Sequence, residues 1–176
     1  MLVTLFGTAC GSSEGGDQGS SSQGSGEAET TQQQSESNAS SRQDLGVGDT
    51  GTFQYGDTTT IYSYASPVQP DNPAVQPKAG NQFAVIDVEG CAGPVEVTGP
   101  DGNTQLMFDP FSFVLQMPDN TRLQSTVPAV DPALNAVNLS AGDCVRGNVT
   151  FEVPQGQTPS YVVQEPTTPP ARWAIE

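Results

Sequence analysis

Histidine is absent from all 176 residues. That absence removes Ser-His-Asp and Cys-His nucleophilic sites, and with them the imidazole ligands of the usual zinc and copper centres. Basic residues are nearly as scarce: five Lys and Arg stand against 20 Asp and Glu, for a formal net charge of −15. Such a chain has no basic patch to neutralise phosphates, which argues against nucleic-acid binding. An anionic membrane surface repels it, whereas a cationic ligand, a basic protein or a divalent metal is not repelled. Lys78 is the single lysine and sits in a Pro/Gly-rich stretch with no serine motif beside it, so Ser-Lys chemistry has no support. No apolar run approaches the ~20 residues of a membrane span. No long stretch shows 3.6-residue periodicity, so no Gly-rich phosphate loop opens a helix.

What is present begins at the N-terminus. Leu2, Val3, Leu5 and Phe6 lead into Gly7-Thr8-Ala9-Cys10, and a polar tract follows to about Leu45. The small residues Thr8 and Ala9 before the cysteine resemble a bacterial lipobox, with Gly7 where an aliphatic residue is usual. The resemblance implies export, cleavage before Cys10 and a lipid on that cysteine as the only membrane anchor. No Lys or Arg precedes the apolar run, as expected if the start codon is set too far downstream. The competing reading is a short buried strand with an incidental cysteine.

Residues 10–45 are Ser, Gly, Gln and Glu with almost no aliphatic side chains. Such a stretch cannot bury enough apolar surface to offset chain entropy and is expected to be a disordered tether. Some 35 residues of random coil span roughly 30–35 Å. Residues 46–176 are the size of one domain. Short alternating runs between Gly, Pro, Asn and Asp clusters predict an all-β sandwich or barrel there. Expected strands include Thr50–Tyr55, Thr58–Ala65, Gln82–Glu89, Phe111–Met117, Thr121–Val127, Tyr161–Gln164 and Arg172–Ile175. Further strands flank the turn Gly99-Pro100-Asp101-Gly102. The cleanest alternation follows Cys144: Val145, Gly147, Val149, Phe151 and Val153 point one way, and Arg146, Asn148, Thr150 and Glu152 the other.

Cys91 and Cys144 form an even pair in an exported domain, which reads as a disulfide, with two free buried thiols as the alternative. Cys144 falls on the Arg146 face and Cys91 off the Ala84/Ile86/Val88 face. A bridge is therefore expected at a strand end or rim, not through the middle of the core.

The run Gly142-Asp143-Cys144-Val145-Arg146-Gly147-Asn148-Val149-Thr150-Phe151-Glu152-Val153-Pro154 resembles the late strand of a bacterial extracytoplasmic lipoprotein family of unknown function. Val85-Ile86-Asp87-Val88-Glu89 resembles its early strand, and Phe111-Ser112-Phe113-Val114-Leu115 with Asp119-Asn120 its middle hairpin. The family is telokin-like, an immunoglobulin-like antiparallel β-sandwich, and is related in fold to a mycobacterial secreted immunoprotective antigen. The resemblance implies that fold for residues 46–176. It carries no catalytic residues to transfer.

Few side chains remain as site candidates. Tyr62 and Tyr64 alternate with Ser63 and are expected to share a face with Thr58 and Thr60, either as an exposed patch for a partner or as packing at the rim. Asp87 and Glu89 sit two apart, as an acid/base pair or a solvated face. Asp101, Asn103 and Asp109 come nearest to a calcium loop. Trp173 reads as a core plug on the last strand. Asn38-Ala39-Ser40, Asn138-Leu139-Ser140 and Asn148-Val149-Thr150 match glycosylation sequons and are taken as chance. The expectation is a surface-anchored module, not an enzyme, without cofactor or resident metal, that binds a protein or cell-envelope component. The alternatives are a calcium- or cation-binding domain and a carboxylate-only hydrolase.

Overall fold

Alternating runs become strands over most of the residues described in the computed structural model, which are 41–94 and 106–176. Cys10, the leader at 1–9, most of the tether and the Gly99–Gly102 turn lie outside them, as do Asp101 and Asn103. Eleven strands run in chain order among the described residues: β1 (Gln43–Gly46), β2 (Thr50–Thr52), β3 (Thr58–Val68), β4 (Asn81–Cys91), β5 (Leu106–Phe108), β6 (Phe113–Gln116), β7 (Arg122–Gln124), β8 (Val137–Leu139), β9 (Cys144–Pro154), β10 (Tyr161–Gln164) and β11 (Ala171–Ala174). They form a five-stranded sheet in the order β1-β11-β10-β6-β7, a four-stranded sheet β2-β3-β4-β9, and a two-stranded β5-β8 ribbon. All pairings are antiparallel except β1 with β11. No helix among the described residues is long and apolar enough to cross a membrane.

The core lies between the two larger sheets. Ala84, Ile86 and Val88 of β4 and Val149, Phe151 and Val153 of β9 meet Phe113, Leu115, Val162 and Trp173 from the opposite sheet. Burying each large side chain stabilises the fold by roughly 1.5–3 kcal/mol. Trp173 is fully buried, as expected of a plug, and its indole Nε1–H donates to the Asp49 carbonyl at 3.0 Å. One seam of the sandwich is partly closed where Ser125, just after β7, bridges to Phe151 of β9.

Cys91 and Cys144 are register partners at the end of the β4–β9 ladder and are joined by a disulfide spanning 53 residues of sequence. The bridge links neighbouring strands of one sheet at their ends, the place their parity indicates.

Three expectations need correction. The domain begins before residue 46, because Gln43–Gly46 is the edge strand β1. Gln43 exchanges side-chain hydrogen bonds with the Thr52 backbone and Leu45 packs on the core, so this end of the expected tether is held. Phe111 is not part of the strand expected over Phe111–Met117, which begins at Phe113. It sits in a 3-10 turn over Pro110–Ser112 and is 72% exposed. The Asp109 carboxylate caps that turn, accepting from the Phe111 and Ser112 amides at 2.7 and 3.1 Å. Tyr62 and Tyr64 do not share a face, because a bulge between Ile61 and Ser63 inserts one residue into β3. Tyr64 then pairs with core-facing Ile86, while Tyr62 stays with the outward residues.

Phe83 and Val85 alternate with core-facing Ala84, Ile86 and Val88 and so have outward parity, yet they are buried. The connection between β3 and β4 is tied down on this side of the sheet. Its Lys78 amide reaches the Glu152 carboxylate, its Asp71 amide donates to the Ala129 carbonyl, and its Asp71 carboxylate accepts from the Asp131 amide. The strap is anchored at the Glu152 end of this face, whereas Asp87 and Arg146, with Glu89, lie at the open end and keep part of their side chains exposed.

Candidate functional site

The open half of the four-stranded sheet carries Tyr62. Cross-strand register sets Thr60 of β3 beside Glu89 of β4, and Glu89 beside Arg146 of β9. The Arg146 guanidinium grips Asp87 with two hydrogen bonds, from Nε at 2.9 Å and from an Nη at 2.6 Å. It lies over the Tyr62 ring, 3.8 Å from the centroid. The Tyr62 hydroxyl donates to Glu89 Oε1 at 3.2 Å. That hydrogen bond, with some burial, holds the Tyr62 phenol above its ordinary pKa, and Asp87 raises Arg146 above its own. Tyr62 remains 41% exposed. The ring is thus clamped from one side and from its tip, leaving a pre-oriented aromatic surface that loses little freedom on meeting a partner.

Tyr64 belongs elsewhere. It packs on the core, burial pushes its phenol upward against an opposing interaction with Ser66, and its hydroxyl is buried without a well-formed hydrogen bond. Rim packing is therefore the reading that fits Tyr64, and the surface patch reduces to Tyr62 with its charged neighbours.

The paired carboxylates are engaged. Asp87 is held by Arg146 and Glu89 by Tyr62. Among the described residues no three His, Cys, Asp or Glu side chains gather as a metal site. Asp109 is committed to its capping role.

A cleft of about 640 Å³ opens at the end of the sandwich where β3 begins and β10 ends. Phe53 and Tyr55 form one wall; Met107, Phe108 and Phe111 form another. Thr59 and Gln164 also line it, 2% and 8% exposed, one on the inner parity of each large sheet. Phe108 stands edge-on to Phe113, with centroids 5.6 Å apart. It can lie there because position 90 is glycine: a Cβ would come within 2.3 Å of the Phe108 ring. Gly93 likewise admits the backbone of Tyr55, whose carbonyl would lie 2.1 Å from a Cβ. The Asp57 carboxylate fixes this contact by accepting from the Gly93 amide at 2.8 Å.

Two side chains of this cleft carry a signal in the sequence, and a third, Tyr55, carries none. Asp109-Pro110 is an N-cap followed by proline at the first helical position, which turns Phe111 outward. Gln164 alternates with Val162, and a polar residue on core parity marks a place where packing is incomplete. Tyr55 has φ +71°, a conformation no composition pattern announces.

The sequence profile of the family described as a domain of unknown function, DUF4352, matches residues 45–169. No curated protein matches. Among solved structures, the chain is similar to MPT63, a secreted protein from Mycobacterium tuberculosis, with a TM-score of 0.52, 16% identity, and 78% of this chain covering 100% of that one. It is also similar to YcdA from Bacillus subtilis, whose name assigns it provisionally to the lipoproteins, with a TM-score of 0.51 and 15% identity. That match takes in 74% of this chain and 38% of YcdA. At these identities the likeness is one of fold. The expected kinship with a mycobacterial secreted protein therefore holds at the level of the β-sandwich.

Proposed function

Since this chain belongs to the DUF4352 family, we propose that it is an extracytoplasmic module, anchored by lipid on Cys10, that binds a protein or cell-envelope component without chemically changing it. The clamped, half-exposed Tyr62 on the open half of the sheet carries this reading. A side chain held in one orientation pays little entropy on association, and Tyr with Arg is the pair most favoured at the centre of interfaces. The location draws support from a secreted protein and a provisionally assigned lipoprotein of the same fold, and from the disulfide, which persists in oxidising compartments.

The test is a photo-crosslinking amino acid installed at Tyr62 and, separately, at the exposed Gln157, in the bacterium that makes the protein. A discrete adduct from position 62 that position 157 does not give is the expected result. Identical adduct patterns from both positions reject the Tyr62 surface as the contact.

A further inference from the structure

We propose that the cleft floored by Thr59 and Gln164 binds a small amphipathic cation, an apolar or aromatic body bearing a protonated amine. This site is separate from the Tyr62 surface and does not depend on it.

The inference starts from an unmade hydrogen bond. Gln164 is 8% exposed, and its Oε1 is buried with no partner. A side-chain carbonyl accepts at two lone pairs, and a buried one left unpaired costs stability that native structures seldom concede without a use. Gln164 lines the cleft; its Oε1 is sealed from solvent in the free protein, so a turn of the side-chain amide about its last torsion presents the acceptor to a donor that a bound molecule brings.

Size and walls say what else that molecule carries. About 640 Å³ is within the range of sites for small organic ligands. Phe53 and Phe111 offer ring surface, and Met107 an adaptable thioether. Met107 and Phe111 are 64% and 72% exposed, apolar surface left uncovered in the free protein. An apolar ligand body covers it.

Charge selects the head group. Asp57, Asp109 and Glu165 line the cleft, and no Lys or Arg does. Arg122 pairs with Glu165 but is not itself among the lining residues. Carboxylates bordering a low-dielectric recess repel an anionic head group and concentrate a cationic one. An ammonium group donates to Gln164 Oε1, and its charge is favoured by the aromatic faces around it. An anion meets the opposite of each condition, and a hydrocarbon leaves Gln164 unsatisfied.

The experiment uses the full chain and two probes with one apolar body, 4-phenylbutylammonium and 4-phenylbutyrate, in an NMR titration at neutral pH. The ammonium is expected to give saturable shifts at Gln164, Thr59, Phe108 and Phe111, with half-saturation at or below about 1 mM. The carboxylate is expected to bind at least about tenfold more weakly. Gln164→Leu should weaken the ammonium by about tenfold through loss of the acceptor. Phe111→Ser alters an exposed ring, leaves the core untouched, and should weaken it by about threefold or more. Shifts that do not saturate by about 10 mM, equal affinity for the two probes, or an ammonium affinity unmoved by Phe111→Ser each overturn the proposal.

Discussion

Replacing Cys91 and Cys144 together by alanine tests what holds this acidic domain together. In the folded protein the two residues are already neighbours at the end of a β4–β9 ladder of eleven register pairs, so the native contacts survive the change. The effect then falls on the unfolded chain, which gains the freedom of a loop spanning 53 residues. The chain-entropy relation gives about 4 kcal/mol for that length. For a folded region near 135 residues this is roughly a 12–15 °C fall in Tm. It is also a large share of the 5–15 kcal/mol typical of a domain. Trp173 is the single tryptophan and fully buried, so its emission reports global unfolding in urea. The unlinked chain should also expose more surface when unfolded and show a larger m-value. A loss below about 1 kcal/mol with an unchanged m-value would refute the reasoning, since it means the crosslink constrains nothing that the unfolded chain lacks.

Four other outcomes follow from the same geometry. Gly90→Ala places a methyl within 2.3 Å of the Phe108 ring and should cost about 2–4 kcal/mol in urea unfolding, with partial rescue by Phe108→Leu. Tyr64→Phe removes a buried hydroxyl without a well-formed hydrogen bond and should leave stability unchanged or raise it by up to about 1 kcal/mol; a clear loss would mean the hydroxyl is paired. The Asp44 carboxyl is held below its ordinary value, foremost by its hydrogen bond with Arg172. Its contribution to stability is therefore complete above the unfolded-state carboxylate pKa and fades as pH falls through the lowered folded value. Carbon-detected NMR should place its midpoint below 3.8 and move it up in Arg172→Gln. Cys10→Ser should shift the protein from the membrane fraction to the medium; retention at the membrane would remove the lipid anchor from the proposed function.

How much of this was readable beforehand depends on the kind of signal. β9 is plain because nine residues, Val145–Val153, alternate without a break, and β10 is plain at its two ends, Tyr161 and Gln164. The bridge was placed at a strand end from parity alone. Tyr62 and Tyr64 depart from the expected shared face because one inserted residue in β3 reverses the side chains that follow it, as far as a second irregularity between Ala65 and Val68, and a bulge leaves no mark in an alternating run. Phe83 and Val85 are apolar on outward parity, which in hindsight announced the strap. A sheet face is legible from one strand, but what covers it comes from residues far along the chain. The cleft was the least legible feature for the same reason. Phe53, Phe108 and Gln164 are brought together by three separate segments, and only glycines 90 and 93 allow the approach.

The two surfaces also differ in what the fold itself demands of them. The Arg146–Asp87–Glu89–Tyr62 cluster is fully paired, so the free protein is content with it, and any partner there must gain from an oriented ring without breaking those bonds. The cleft is the reverse. Phe108 and Phe113 complete the core up to the edge of the recess, where Gln164 is buried beside its register partner Phe113 with its side-chain carbonyl unpaired. A valine or leucine at position 164 would continue the inner face of Val162 and remove the unpaired carbonyl at no evident cost to the sheet. Stability alone therefore gives no reason for glutamine there. A ligand that supplies the donor does, and it predicts that Gln164→Leu gains stability in the free protein while losing affinity for the ammonium probe. Opposite signs in those two measurements are the mark of a residue kept for binding; a loss in both, with Phe111→Ser also unaffected in binding, would make Gln164 a structural residue and nothing more.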